Sequence, residues 1–497
     1  MRQTRIVATL GPASVEVETL CQLIAAGVDV FRCNFAYGTL ETHQAACEAV
    51  REAAGRTGKA VALMQDLRGP KIRVGEIAGG KIELREGQEL TITAAATVGT
   101  AILFSTNYKQ LPRDVAPKAR IFLDEKNIEL EVISATGADV RCRVAQGGVL
   151  HSGAGINLPG IALSTPSITP EDFADLEAGK EIGFDYVAVP FVRSTDDINK
   201  VRRITEKFVN PPLLLAKIEK EDALDDIDGI IDAADGIIVA GGDLAVELAV
   251  ERVPVIQQNL IHRANTADKL VLVATQILDS AEAQSALARG KTNDVANAIF
   301  QGADAIIITT ETAIGRNPAE AVKLVVRVAE AVEHKLAIDG SPHWNWRRTR
   351  IYHPIGDVLS NAAYHIAKQL SAAAIVAFTH SGRTAMYLSK CRSFVRLVVF
   401  TRSPEVARKM RLFWGVDPVC SPDISANQDL KAQAEEYLRS NNFCGGADNI
   451  VLIGGNPFDV IDHSNRIEVT QLSGSAAIFD RTNQKKSQRI NASRGRR

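Results

Sequence analysis

The chain lacks the features that mark a membrane or secreted protein. No apolar run approaches the ~20 residues that a membrane-spanning helix needs, and the opening MRQTRIVATLGPAS has no signal-peptide apolar region. The seven cysteines are scattered without CxxC spacing, which argues against a disulfide framework or a zinc site. We therefore expect reduced thiols in a cytoplasmic protein that has no membrane partner.

A bias toward one sign of charge is also missing, because the formal net charge is only −2. The sum hides a basic tail at residues 481–497, RTNQKKSQRINASRGRR, which has no acidic residue. We interpret the tail as a solvated, disordered segment. A docking arm for an acidic partner or nucleic acid is the alternative, but a nucleic-acid partner is not expected because no aromatic residue interleaves the charges.

What the chain has is an alternation of short apolar runs with helical patterns. With 497 residues, it is too long for a single core. Eight runs rich in Val, Ile, Leu and Ala read as strands buried on both faces, which predicts a (β/α)8 TIM barrel. The predicted strands are Arg5–Leu10, Val28–Cys33, Ala60–Asp66, Tyr186–Phe191, Leu213–Ile218, Gly236–Ala240, Leu270–Thr275 and Ala305–Thr309.

Two changes of pattern divide the chain into domains. Helical patterns vanish at 73–157, where runs such as KIELREGQELTIT predict an inserted small all-β lid domain, a β-barrel, on the catalytic face. The barrel then comprises 1–72 and 158–345. A second α/β pattern predicts a C-terminal open-sheet domain at 346–480, with strands at Ala374–Thr379, Leu397–Thr401, Asn449–Ile453 and Ile467–Leu472.

The segment TPEDFADLEAG shows the expected helix punctuation. Thr169 is placed to cap the helix, with Pro170 in the first turn and Asp172 three residues after the cap. We expect Gly179 to end this helix.

Polar residues follow most of the predicted barrel strands. The C-terminal ends of barrel strands meet at one mouth, so these side chains should converge. Two carboxylates, several cations and a hydroxyl at one mouth suit Mg²⁺ with a phosphorylated ligand, although each alone could be a solvated strand end or a helix cap. The set is Arg32, Asn34, Asp66, Lys217, Glu219, Asp243, Thr275 and Glu311.

Ten segments in order between residue 4 and about 475 resemble the pyruvate kinase family. They are TRIVATLGPAS, VFRCNFAYG, DLRGPKIRV, INLPG, FVRS, LLLAKIE, ADGIIVAGGDLAVE, LVLVATQILDS, NDVANAIFQGADAIIITTETAIG and THSGRTA. The resemblance implies a barrel, a β lid and a C-terminal α/β domain. It also implies a glycolytic phosphotransferase that makes pyruvate and ATP from phosphoenolpyruvate and ADP, and a cytoplasmic, allosteric homotetramer.

The resemblance assigns roles to the strand-end residues. Lys217 corresponds to the lysine that meets the transferring phosphoryl group, and Arg32 to the arginine on the phosphate. Glu219 and Asp243 correspond to the ligands of Mg²⁺ or Mn²⁺. The backbone at 240–243, including Gly242, would hold the substrate carboxylate, and Thr275 would take part in protonating the enolate through water.

The K⁺ site of the family is altered in this sequence. Its four ligand positions read Asn34, Ala36, Asp66 and Leu67, so two of them lack a side-chain oxygen. Lys71 replaces the glutamate of the GPEIR motif, and one family branch with lysine there is independent of K⁺. We therefore predict that Lys71 substitutes for the monovalent cation; neutral drift is the alternative.

Other departures leave open a catalytically weakened or inactive paralogue that acts as a phosphometabolite-binding regulatory subunit. Gly241 replaces the arginine of ARGD, Ala154 a nucleotide-contacting lysine and Tyr37 a histidine, while DEK at 124–126 replaces DDG. The survival of all the proposed catalytic residues favours an active enzyme. A Schiff-base aldolase built on Lys217 is a further alternative, disfavoured by the adjacent Glu219.

The THSGRTA loop resembles an effector phosphate site for a sugar phosphate or nucleotide. Its hydroxyls, backbone N–H groups and guanidinium suit a phosphate, and ordinary helix capping is the alternative interpretation. The residues involved are Thr379, Ser381, Arg383 and Thr384.

Overall fold

The computed structural model describes residues 2–124, 126–161, 163–275, 286–339, 354–422, 427–445, 447–455 and 464–472. The described residues fall into two compact units. One lies within Met1–Arg350 together with Arg411–Trp414, and the other within Ile351–Met410 and Gly415–Arg497. The basic tail at 481–497 and the predicted domain boundary near 346 lie outside the described residues. No described helix has both the length and the apolar composition required to cross a membrane.

The strands of the first unit alternate with helices except in one central stretch. In chain order they are β1 (Arg5–Thr9), β2 (Val30–Asn34), β3 (Ala62–Asp66), β4 (Lys81–Leu84), β5 (Glu89–Thr93), β6 (Leu103–Ser105), β7 (Arg120–Leu123), β8 (Ile128–Thr136), β9 (Asp139–Gln146), β10 (Gly148–His151), β11 (Ile156–Asn157), β12 (Tyr186–Val189), β13 (Leu213–Ile218), β14 (Gly236–Ala240), β15 (Leu270–Thr275) and β16 (Ala305–Ile308).

Eight of these strands form the predicted closed parallel barrel. Their order around it is β1, β16, β15, β14, β13, β12, β3 and β2, so neighbours in space are neighbours in the βα sequence. Parallel strands covered by helices are buried on both faces, which is why β1, β3, β12 and β14 are buried at every residue. The predicted fold class is confirmed.

The helices of the first unit cover the barrel, apart from one short helix in the insertion. They are α1 (Val17–Ala26), α2 (Leu40–Thr57), α3 (Leu111–Asp114, in the insertion), α4 (Pro170–Ile182), α5 (Thr195–Thr205), α6 (Ile227–Ala233), α7 (Gly241–Glu247), α8 (Val253–Thr266), α9 (Ala286–Gln301), α10 (Thr310–Ala313) and α11 (Pro318–Asp339). Short 3₁₀ segments lie at Ala78–Gly80, Glu221–Leu224 and Val250–Arg252.

The start of α4 matches its prediction but its end does not. Thr169 and Asp172 form the reciprocal capping pair, with Thr169 N donating to Asp172 Oδ2 over 2.8 Å. The helix continues through Gly179 and ends at Gly183, which has a left-handed φ of 76°. Gly179 does not end the helix; it makes room for Gln65 instead, since a Cβ there would lie 2.5 Å from Gln65 Oε1.

The insertion between β3 and β12 has its own core. A six-stranded sheet runs in the order β11, β7, β8, β9, β5, β6, and β10 pairs with β4 in a second, two-stranded sheet. Alternating residues of β9 are buried, as a sheet with one solvated face requires. The buried side chains include Ile92, Phe104, Leu130 and Val140.

The second unit is an open α/β sheet. Its strands are β17 (Ala374–Phe378), β18 (Arg396–Thr401), β19 (Val416–Cys420), β20 (Asn449–Gly454) and β21 (Arg466–Gln471). Its helices are α12 (Ile355–Gln369), α13 (Arg383–Lys390), α14 (Pro404–Lys409) and α15 (Asn427–Ser440). A 3₁₀ segment at Met410–Leu412 follows α14 in the chain. The order is β19, β18, β17, β20, β21, with β21 antiparallel. The prediction missed β19, which contains Pro418 and lies at the edge of the sheet, where a proline is tolerated.

Candidate active site

The ends of β2, β3 and β13 bring two cations onto one buried carboxylate. Arg32 Nε donates to Asp66 Oδ2 over 2.7 Å, and Lys217 Nζ lies 3.3 Å from Asp66 Oδ1. The Asp66 side chain is only 1% exposed. A buried carboxylate needs compensating charge, so Asp66 fixes both cations at the mouth of the barrel.

Glu219 holds the other side of Lys217. Its Oε1 lies 2.7 Å from Lys217 Nζ, and its Oε2 accepts a hydrogen bond from the backbone N–H of Phe191 over 3.2 Å. Phe191 has a positive φ of 48°, an uncommon conformation for a bulky residue, and it aims this N–H at the carboxylate. The strand geometry therefore brings Lys217 and Glu219 together, as their spacing of two residues predicts.

The charged side chains in this cluster shift one another's pKa values. Burial alone would raise the pKa of Asp66, but the charges of Arg32 and Lys217 hold that pKa below its usual value. Burial alone would lower the pKa of Lys217, but Asp66 and Glu219 raise it above its usual value. Asp66 is therefore ionised and Lys217 protonated at neutral pH.

Lys71 lies beside the same cluster. Burial, followed by the charge of Lys217, lowers the pKa of Lys71, while Asp66 and Glu219 act in the opposite direction. Its Nζ lies 5.5 Å from the centre of the Tyr37 ring, a cation–π distance. The structure thus places a third cation close to Asp66 and Lys217.

The other candidate K⁺ ligands are engaged within the protein. Asn34 Oδ1 accepts a hydrogen bond from the backbone N–H of Ala36 over 3.2 Å. Asp66 faces Arg32 and Lys217 through its two oxygens. The side-chain oxygens of Asn34 and Asp66 therefore already have partners within the protein.

Asp243 lies in the first turn of α7, directly after β14. Because β13 and β14 pair in parallel, with Ile218 opposite Val239, the segments that carry Glu219 and Asp243 leave neighbouring strands at the same end of the barrel. Gly242 and Asp243 are exposed. Two carboxylates supply the hard oxygen donors that Mg²⁺ prefers, so the residues fit a divalent ion. No described group of three or more Asp, Glu, His or Cys side chains is arranged to hold a metal.

Two further predicted residues are placed at the strand ends. Thr275 ends β15, and its Oγ1 is buried with no hydrogen-bond partner among the described residues. Glu311 lies in the short helix α10 and is buried. A buried hydroxyl with no described partner at the end of a barrel strand is available to a ligand or water.

The structure adds Thr9, which the sequence prediction overlooked. Its Oγ1 accepts a hydrogen bond from Arg32 Nη1 over 2.8 Å and donates to Ile308 O over 2.9 Å. Thr9 therefore orients the guanidinium from the opposite side to Asp66. It ends β1, so the same rule of polar residues at strand ends would have found it. Phe191 acts through its backbone and leaves no such signal.

The candidate effector loop lies at the start of α13 in the second unit. The hydroxyl of Thr379 accepts from Gly382 N over 3.0 Å, and that of Thr384 bonds Ser464 Oγ over 2.6 Å, so both already have partners within the protein. Ser381 and Arg383 are exposed. The loop presents one hydroxyl and one guanidinium outward.

Comparison with known proteins matches both units. The family model described as pyruvate kinase, barrel domain, matches residues 1–322, and the pyruvate kinase alpha/beta domain matches residues 357–470. The chain is 37% identical to pyruvate kinase 2 of Synechocystis over 94% of this chain and 79% of that protein. It is 36% identical to pyruvate kinase of Mycobacterium tuberculosis over 95% of this chain and 98% of that protein.

A solved structure agrees with these relatives. The crystal structure of a pyruvate kinase from Cryptosporidium parvum superposes with a TM-score of 0.84 at 28% identity, covering 95% of this chain and 96% of that one. The architecture, the order of the motifs and the two domain matches lead to one conclusion: the chain is an enzyme of the pyruvate kinase family.

Proposed function

We propose that this chain transfers the phosphoryl group of phosphoenolpyruvate to ADP with Mg²⁺ or Mn²⁺ and without K⁺. The observation that carries the proposal is the buried Asp66–Lys217–Glu219 cluster with Arg32 and Lys71 beside it. Three cations at one barrel mouth suit a substrate that carries both phosphate and carboxylate.

Lys217 would stabilise the phosphoryl group during transfer. The bond between phosphorus and the enol oxygen breaks, and a bond forms between phosphorus and a β-phosphate oxygen of ADP. Negative charge spreads over the equatorial oxygens of the loose transition state, and a fixed ammonium group lowers the free energy of that state. Asp66 and Glu219 hold Lys217 in place and protonated. A protonated lysine cannot attack a carbonyl, which disfavours the aldolase alternative.

Glu219 and Asp243 would hold the divalent ion. When bound, Mg²⁺ or Mn²⁺ neutralises charge on the phosphoryl and enol oxygens. Glu219 is oriented by the backbone N–H of Phe191, so its free movement is restricted. Gly242 and Asp243 begin α7, whose N-terminal N–H groups would bind the substrate carboxylate.

Thr275 would help to protonate the enolate. Phosphoryl transfer leaves the enolate of pyruvate, which takes a proton at its methylene carbon. The Oγ1 of Thr275 has no partner among the described residues and is suited to hold a water there. A water relay is chemically easier than donation by the hydroxyl itself.

Independence of K⁺ would follow from Lys71. Its ammonium stands close enough to Asp66 and Lys217 for their charges to act on its pKa. The absence of side-chain oxygens at Ala36 and Leu67 removes two ligands that a hard cation would need. The tethered charge would therefore replace the soluble ion.

The test is a turnover assay that couples pyruvate formation to lactate dehydrogenase. The proposal expects activity in sodium-free, K⁺-free buffer, no saturable activation by K⁺, and loss of activity on chelation of Mg²⁺. Saturable activation by K⁺ would overturn the Lys71 assignment. Phosphoenolpyruvate binding without turnover would instead favour the inactive regulatory paralogue.

Regulation, assembly and location are further parts of the proposal. The loop of Thr379, Ser381, Arg383 and Thr384 would bind the phosphate of a sugar phosphate or nucleotide, with Ser381 and Arg383 as its outward groups. A cytoplasmic homotetramer is proposed from the family resemblance. Analytical ultracentrifugation tests the tetramer, and titration with ribose 5-phosphate and AMP tests the effector.

A further inference from the structure

A lysine of the inserted domain contacts the C-terminal end of helix α7 in the barrel. The ammonium of Lys126 donates to Ala245 O and, over 3.3 Å, to Leu248 O. The last carbonyls of a helix have no partners within it, and they carry the negative end of its dipole. A lysine there satisfies both the hydrogen bonds and the charge.

The backbone at Lys126 is held in a conformation that lysine disfavours. Its φ is 76°, in the left-handed region where glycine is the usual residue. The side chain also lies over the Phe122 ring, with Nζ 5.1 Å from the ring centre. The chain therefore keeps a lysine at a position that favours glycine, and the ammonium is the group that makes the contact with α7.

The same end of α7 is fixed by two other parts of the first unit. The side chain of Glu247 is 4% exposed and pairs with Lys220, the residue after Glu219. Burial raises the pKa of Glu247, and a backbone hydrogen bond from Gly160 acts in the opposite direction. Gly160 lies where the chain returns from the insertion to the barrel. The C-terminal end of α7 thus joins the insertion, its return segment and β13.

The opposite end of α7 follows β14 directly and begins with two glycines that have open space beside them. A Cβ at Gly241 would meet only Gln257 Oε1 at 3.8 Å, and one at Gly242 would meet nothing within 4 Å. With seven residues, the helix is about 10 Å long, so a displacement at one end moves the other. Asp243 lies in the first turn of this helix.

We propose that Lys126 is a positioning residue that ties the inserted domain to α7 and thereby sets the position of Asp243. The proposal rests on the metal-binding role proposed above for Asp243. Without the Lys126 contact, the C-terminal end of α7 loses the hydrogen bonds that tie it to the inserted domain, and the divalent ion and the substrate bind more weakly. The chemical step keeps its rate once both are bound, because Lys126 touches neither.

The experiment compares Lys126→Gly with Lys118→Gly in the full-length chain. Lys118 is a matched control, because it is an exposed lysine of the same domain with a φ of 72°. Both variants place glycine, which tolerates a positive φ, at a position where lysine is strained, and both remove one positive charge. Lys126→Arg keeps a cation and is expected to retain the wild-type behaviour.

For Lys126→Gly we expect hydrogen exchange at the amides of α7 to accelerate about tenfold in the ligand-free protein. The half-saturating Mg²⁺ concentration and the KM for phosphoenolpyruvate should rise about fivefold, with kcat changed less than twofold. Lys118→Gly should change none of these quantities.

If hydrogen exchange at the amides of α7 is unchanged in Lys126→Gly, the result would refute the stabilising contact between Lys126 and α7. Faster exchange with an unchanged Mg²⁺ requirement would refute the coupling, provided that Asp243→Asn weakens Mg²⁺ binding. An unchanged Mg²⁺ requirement in Asp243→Asn refutes the metal role of Asp243 instead, so the two failures are distinguishable.

Discussion

At the scale of single residues, Asp66 organises the candidate site. Its buried carboxylate lies against Arg32 and Lys217, and Lys71 is close enough for the two charges to influence one another. Removing one partner of a buried ion pair leaves uncompensated charge, which costs more than the pair itself contributes. Stability and the proposed catalysis would therefore depend on the same carboxylate.

Asp66→Asn should lower the free energy of unfolding of the barrel by about 3–5 kcal/mol at pH 7. The pKa of Asp66 is lower in the folded protein than its ordinary value of 3.8, so its stabilisation is present above that value and is lost as the pH falls through the folded pKa. Thermal unfolding of both proteins from pH 7 downward measures the difference. A penalty that halves between pH 7 and pH 5 would contradict the lowered pKa.

Three substitutions should convert the site to dependence on K⁺. Ala36→Ser and Leu67→Thr restore two side-chain oxygens, and Lys71→Glu removes the tethered cation. We expect the triple variant to show saturable activation by K⁺, measured as kcat/KM against K⁺ concentration. Lys71→Glu alone should lose activity with little recovery in K⁺, because the oxygen ligands are still missing. Full recovery of the single variant would indicate that the two oxygens are not needed.

At the scale of helices and strands, glycines show how tightly each helix packs on the barrel. Gly179 of α4 lies against Gln65, whereas a Cβ at Gly55 of α2 would meet nothing within 4 Å. Both glycines lie inside helices and neither has a positive φ. The two positions therefore separate helix propensity from packing.

Gly55→Ala should stabilise the protein by about 0.5–1 kcal/mol, because alanine loses less backbone freedom on folding. Gly179→Ala should destabilise it by about 1–3 kcal/mol, because the added methyl group displaces the buried Gln65 side chain. Urea unfolding of the two variants measures both effects. Stabilisation by Gly179→Ala would show that Gln65 moves aside at no cost.

The sequence allowed the barrel to be predicted almost strand by strand, because parallel strands buried on both faces are apolar throughout. The ends of the strands were predicted less accurately: β2 starts at Val30, whereas the predicted strand started at Val28. The edge strand β19 was missed since Pro418 reads as a break. Gly179 was misread because its packing against Gln65 is a long-range contact that no local pattern reveals.

The sequence predicted the parts of the site that are side chains at strand ends. It did not predict the parts that depend on the conformation of the backbone. Arg32, Asp66 and Lys217 meet because the barrel topology brings the ends of their strands together. The N–H of Phe191 and the contact of Lys126 with α7 depend on positive φ values that the sequence does not encode locally. Such contacts emerge only from the tertiary structure.

At the scale of the whole molecule, the described residues fall into two compact units. The proposed catalytic residues lie in the first unit and the candidate effector loop in the second. If the loop binds a phosphate, its effect on turnover must pass through the protein, and a coupling free energy of about 1–3 kcal/mol is typical.

Arg383→Ala should remove any response to the effector without changing basal turnover. We expect ribose 5-phosphate or AMP to lower the KM for phosphoenolpyruvate about fivefold or more in the wild-type enzyme and to have no effect in the variant. Arg439→Ala, which removes a partly exposed arginine of the same unit paired with Glu435, is the control. An equal response in wild type and Arg383→Ala would exclude this loop as the effector site.

The central claim is that Lys217 stabilises the phosphoryl group in transit, and one comparison tests it most directly. Lys217→Met and the control Lys200→Met, which removes an exposed lysine paired with Asp196, are assayed for pyruvate and ATP formation from phosphoenolpyruvate and ADP. The account predicts that the folded Lys217→Met protein, although less stable than the wild type, loses a factor of about 10³ or more in kcat, and that Lys200→Met keeps wild-type turnover. Near-normal turnover in a folded Lys217→Met variant would contradict it.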